Sequence, residues 1–98
     1  MLFTALLKVR EGSTTNERIV RRAQYTFPEG FRPVTEYWLQ TTDPSLPLVV
    51  GTFEADSVEP ILALLADWDE HFHITVVPTI TAEEGLKAAE RMMQAGQE

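Results

Sequence analysis

The sequence predicts one α+β domain, and three observations predict it. Strand-like segments with period-two alternation are interleaved with helix-like segments of period 3.6, in the order β-α-β-β-α-β-α. Each of three Ser/Thr/Asp residues stands three positions before a Glu, at the places where a helix should start. The 98 residues, 44% of them hydrophobic and 23% charged, fit a single globular domain over 1–98 with no linker or repeat.

Residues 2–10 read as the first strand. Phe3, Ala5, Leu7 and Val9 share one face, and Leu2, Thr4, Leu6 and Lys8 the other. Two largely apolar faces mark a central strand. Glu11-Gly12-Ser13 breaks it, and Thr14 with Glu17 caps a helix whose apolar stripe is narrow: Ile19, Val20 and Ala23. The run Phe27 to Pro33, with two prolines and a glycine, reads as a loop. Residues 34–42 form a second strand, rich in Thr, Tyr and Trp but clean on neither face, as suits an edge. Asp43 to Pro47 is a turn-rich connection. The third strand is 48–54, where Gly51 marks a bulge or a close approach.

Asp56 with Glu59 starts the second helix, with Pro60 tolerated in its first turn. Its stripe is Val58, Ile61, Leu62, Leu65, Trp68 and Phe72. The fourth strand, 73–80, contains Pro78, which confines it to an edge or a bulge. Thr81 with Glu84 caps a last helix with Leu86, Ala89, Met92 and Met93 on one side, ending at Gly96. The first six elements make the ferredoxin-like β-α-β-β-α-β motif, in which the first and third strands are central. The extra helix must bury its stripe, and Leu86 and Met93 are expected to do so at least partly against a partner subunit.

Net charge is −7, which disfavours general nucleic-acid binding. Residues 1–33 are nonetheless basic, with six Lys/Arg against three acids, so the charge is unevenly placed. There is no cysteine, hence no disulfide, thiolate metal site or thiol nucleophile. The N-terminus reads as a strand rather than a leader, and no stretch approaches the roughly 20 apolar residues of a membrane span. The expectation is a cytoplasmic protein that binds neither membrane nor nucleic acid.

Three groups of residues carry candidate chemistry. Asp67 to His73 is the densest polar cluster, and Asp67 and His71 share a helix face. The reading is a solvated helix end rather than a metal site, so no metal is assigned. Arg18 and Arg22, four apart on the first helix, could clamp a carboxylate or phosphate. Trp38, Glu36, Gln40, His73, Thr75 and Thr79 could line the open face of the sheet as an aromatic floor with polar groups. There is no Gly-x-Ser-x-Gly elbow, P-loop or dinucleotide fingerprint, and no cofactor is expected.

Trp38, the run Gly51-Thr52-Phe53-Glu54-Ala55-Asp56, Trp68 and Val77-Pro78 carry a resemblance across Val34 to Leu86. The chain resembles a small bacterial domain-of-unknown-function family of the dimeric α/β-barrel superfamily. That family has a His directly after the strand-two Trp, whereas this chain has Leu39. The resemblance implies a homodimer whose two sheets pack face to face. It also implies relatives as different as cofactor-independent oxygenases, haem-degrading enzymes and ligand-binding modules, so fold alone does not choose. Two functions follow as expectations. One is a non-catalytic homodimer with a small organic ligand between the sheets. The other is a cofactor-independent oxygenase or isomerase with His73 as the base, which requires His73 to face an enclosed cavity.

Overall fold

The structure is a computed structural model that describes residues 1–97. Its elements in order are β1 (Leu2–Val9), α1 (Thr15–Gln24), β2 (Arg32–Trp38), β3 (Val49–Glu54), α2 (Glu59–Trp68), β4 (Phe72–Pro78) and α3 (Ala82–Gln97). The strands form one antiparallel sheet in the order β2-β3-β1-β4, so the two strands with two apolar faces are the central pair. This α+β arrangement is compatible with the ferredoxin-like motif.

Register fixes the faces. Ala5 lies opposite Gly51 on one side and Val76 on the other, and Leu6 lies between Val50 and Thr75. The odd-numbered residues of β1 therefore share a face with Val49, Gly51, Phe53, Phe72, Ile74 and Val76, and this face carries the core. Phe53 is its most buried large side chain and stacks on Phe31 at 4.2 Å. Between β2 and β3 the register slips at Val34, an extra residue that bends the edge strand. Pro78 closes edge strand β4.

Two helix starts carry the side-chain cap that the sequence predicts. The Thr14 hydroxyl accepts from the Glu17 N–H at 3.2 Å, and the Thr81 hydroxyl from the Glu84 N–H at 3.1 Å. The second start differs. α2 begins after Val58 with no side-chain cap, while Asp56 instead meets the Arg32 guanidinium. The buried stripe of α2 is accordingly rotated to Pro60, Leu64 and Trp68, and Val58 and Leu62 face solvent. β2 starts two residues earlier than its composition suggests and ends four earlier, leaving 39–42 outside the strand, and β4 starts one residue earlier and ends two earlier.

α1 and α3 depart furthest from a packed layer. α1 buries no residue at all, with Ile19 and Val20 each 48% exposed. α3 continues through Gly96, which does not end it. Its large apolar residues are not buried in its own protomer: Leu86, Met92 and Met93 are all about two-thirds exposed or more. The molecule is correspondingly elongated, with a radius of gyration of 16.6 Å, against about 13 Å for a compact chain of this length.

Candidate functional site

Because α1 stands off the sheet, a cavity of about 1070 Å³ opens beneath it. Ligand-sized pockets run to about 300–1,000 Å³, so this one has room for a small organic molecule. Its floor is Ala5, Leu7 and Val9 of β1 with Val49 and Gly51 of β3. A small side chain and a glycine at the centre of that floor leave the depth. The back wall is aromatic: Phe27, Phe31, Trp68 and Phe72. Arg18, Ile19 and Arg22 of α1 form the roof, and Glu36 and Trp38 of β2, followed by residues 39–44, form the side.

The approach of β2 to that floor depends on Gly51. A Cβ there would lie 2.9 Å from the Thr35 carbonyl oxygen, a contact that real side chains do not tolerate. The sequence signal at Gly51 thus resolves into a close approach of two backbones, one strand residue from the Val34 bulge.

Arginines, not apolar packing, hold the roof up. The Arg21 Nε and Nη2 donate to the Asp67 carbonyl oxygen at 3.1 and 2.6 Å, and its guanidinium lies 5.5 Å from the Trp68 ring centre. The Tyr25 hydroxyl donates to Asp67 Oδ2 at 2.7 Å; burial first, and then this bond, push its phenol pKa up. Arg22 reaches down to Glu36 through Nε and Nη2, at 2.9–3.2 Å, and lies 4.9 Å over Phe27. Glu36 also accepts from the Trp38 indole N–H at 2.6 Å. Partial burial opposes its charge, but the hydrogen bonds from Arg22 and Trp38 and the Arg22 charge prevail and hold its carboxyl below the ordinary range.

The residues singled out in the sequence fall on two sides of the sheet. Trp38, Glu36 and Gln40 line the cavity, with Arg18 and Arg22 above them. His73 and Thr75 do not: they pair with Lys8 and Leu6 on the opposite, open face. The expected single grouping is corrected by register, because strand alternation fixes each strand's two faces but not which faces coincide across the sheet. The cavity also lies under the helix, not against the open face. His73 is exposed, 3.4 Å from Arg10, and does not meet the requirement of facing this cavity as a base.

The anion clamp expected of Arg18 and Arg22 divides in the same way. Arg22 is neutralised by Glu36, a carboxylate of the chain itself. Among the described residues Arg18 meets only neutral oxygens: the Ser13 carbonyl and hydroxyl at 3.0 and 3.1 Å and the Thr15 hydroxyl at 3.2 Å. The Asp67 to His73 cluster disperses. Asp67 takes Tyr25, Asp69 takes Arg10, and His71 Nδ1 lies 2.9 Å from the Ser13 hydroxyl. Among the described residues no three His, Asp or Glu side chains converge as metal ligands.

Sequence reasoning missed Ser13, Ile19, Phe27 and Phe31 as cavity residues. Phe27 and Phe31 sit in a segment read only as a loop, yet their rings stack at 5.0 Å and build the back wall. The density of aromatics from Tyr25 to Phe31 was the available signal.

Chemically, the site is an apolar cavity with one internally satisfied ion pair. Glu36, with three donors on it and its charged form favoured, is a poor proton acceptor. The protein is thus an α+β domain with a helix-roofed cavity on the core face of a four-stranded antiparallel sheet. More particularly, the chain belongs to the domain-of-unknown-function family DUF3303, whose model matches residues 1–93. No curated protein and no solved structure matches it significantly. No helix among the described residues is long and apolar enough to cross a membrane.

Proposed function

We propose that the chain is a binding module for a small, largely apolar organic molecule held between α1 and the sheet. The observation that carries this reading is the cavity itself: an apolar, aromatic-walled space bridged from α1 to β2 by the Arg22–Glu36 pair. A helix that served only to cover the sheet would bury its apolar residues, whereas Ile19 and Val20 remain half exposed. Titration with the neutral apolar dye Nile red tests it. Wild-type protein should enhance the dye's fluorescence saturably, and Ile19→Asp, which places a charge on the apolar roof at a half-exposed position, should weaken the enhancement severalfold while leaving the fold intact. Dye binding that Ile19→Asp leaves unchanged would place the ligand elsewhere and defeat the reading.

The same proposal includes a homodimer formed through the open sheet face and α3. Tyr37 and Val77 on that face and Leu86, Met92 and Met93 on α3 are exposed together, more apolar surface than an isolated protomer usually leaves wet. Light scattering at micromolar concentration decides it, and a clean 11.1 kDa species would refute it.

A further inference from the structure

We infer that the ligand of this cavity is an apolar monocarboxylate whose carboxylate is received by Arg18; the inference rests on the cavity being a ligand site. The three arginines that line the cavity differ in how their charge is met. Arg10 is paired with Asp69 at 2.9 Å and Arg22 with Glu36 at 2.9 Å. Among the described residues Arg18 has no carboxylate partner, although its side chain is only partly exposed. An unmatched guanidinium on the wall of an apolar space is the natural seat of a ligand anion.

The hydrogen bonds of Arg18 make the same point. Its Nη1 is taken by the Ser13 carbonyl and hydroxyl, and its Nη2 by the Thr15 hydroxyl. No bond from its Nε is found among the described residues. Arg22 uses its Nε and Nη2 to grip both oxygens of Glu36, and that same side of Arg18 keeps its Nε donor uncommitted. Ser13 and Thr15 therefore fix the head group while leaving it able to accept a further planar anion. Ser13 is itself anchored by His71, 2.9 Å away, which ties the Arg18 cradle to the start of β4.

The other charges around the cavity do not supply this function. Glu11 and Asp43 lie exposed on the loops at its margin, and Asp43 is engaged by the Ser45 N–H and hydroxyl. They, and the net charge of −7, oppose anions in general. Selection for a carboxylate must therefore be local and come with a large apolar body, which the aromatic wall would receive. A small hydrophilic anion has no such compensation and should not bind.

Calorimetric titration of the full chain at neutral pH with decanoate and 2-naphthoate, each beside its primary amide, tests the inference. The acids are expected to bind about tenfold or more tightly than the amides, as a charge-assisted pair requires. Arg18→Gln should erase that preference while amide binding persists, and Arg18→Lys should restore part of it. Arg32→Gln, on the far surface beside Asp56, should leave the preference intact. Equal binding of acid and amide by the wild type, or a preference that survives Arg18→Gln, would overturn the role of Arg18 and leave the cavity reading standing. Binding of neither acid nor amide would remove the cavity reading, and this inference with it.

Discussion

α1 and α2 are both ten residues long and both overlie the same face of the sheet, yet they are held by different physics. α2 is seated by burial: Pro60, Leu64 and Trp68 are in the core, and among the described residues it makes no ion pair to the sheet. α1 buries nothing and is attached by Arg21 and Arg22, whose partners Asp67 and Glu36 lie 46 and 14 residues away in sequence. Burial draws a helix onto the sheet and closes the space beneath it. Long guanidinium side chains hold a helix at arm's length and leave that space open. The half of the layer under α2 is thus the core, and the half under α1 is the cavity.

The largest effect should come from truncating each helix's inward residue. Leu64→Ala is expected to cost about 2–5 kcal/mol of unfolding free energy, because a fully packed leucine leaves a void. Ile19→Ala should cost less than about 1 kcal/mol, since half of Ile19 is already in water. Urea unfolding of both variants measures this directly. Equal losses would show that α1 is packed in solution and that the cavity is closed there.

Gly51→Ala attacks the cavity floor. The added methyl group would meet the Thr35 carbonyl at 2.9 Å, so β2 must move and carry Glu36 and Trp38 with it. A loss of about 1–3 kcal/mol is expected, together with a shift of the Trp38 indole N–H resonance. An unshifted indole would mean that β2 yields without disturbing the cavity wall.

Acid should loosen α1 before α2. Glu36 is held below the ordinary carboxylate range, so its folded pKa lies under the unfolded value of about 4.3. The stabilisation is therefore full above that unfolded value and is lost as pH falls through the folded one. Amide protection in α1, taken relative to the intrinsic exchange rate at each pH, should fall over that acid window while α2 stays protected. In Glu36→Gln the α1 rates should be faster at neutral pH and lose this acid dependence. An unchanged acid response in that variant would assign the strap to Arg21 and Tyr25 instead.

How legible this was in the sequence follows from the same contrast. β1 and β3 are central because both their faces are apolar, and that can be counted residue by residue. Thr14 and Thr81 cap helices because their partners lie three residues away. Asp56 follows the same pattern and fails, because Arg32 and the N-terminal amine compete for it across the fold. Trp38, Glu36 and Gln40 could be picked out as a polar-aromatic group, but grouping them with His73 and Thr75 required the β1–β4 register, which no single strand encodes. The cavity was least legible of all. The stripe Ile19, Val20 and Ala23 looks like that of any packed amphipathic helix, and only the distant partners of Arg21 and Arg22 show that α1 is propped up.

α3 gives the comparison its third case, a helix that neither packs nor is strapped. It is 16 residues long, Leu86, Met92 and Met93 are largely in water, and its one ion pair among the described residues, Lys87 with Glu83, is internal. Deleting residues 82–98 should therefore change the protomer's unfolding free energy by no more than about 0.5 kcal/mol, the range of surface changes that touch no core. The effect should fall on association instead. If α3 lies against a second subunit, as the proposed homodimer requires, the truncated chain should dissociate at a protein concentration where the full chain remains paired. Sedimentation equilibrium on both chains separates these terms. A truncation that lowers protomer stability by several kcal/mol would mean that α3 folds back onto its own sheet in solution. An unchanged association constant would take α3 out of the interface and leave the open face, with Tyr37 and Val77, to make it alone.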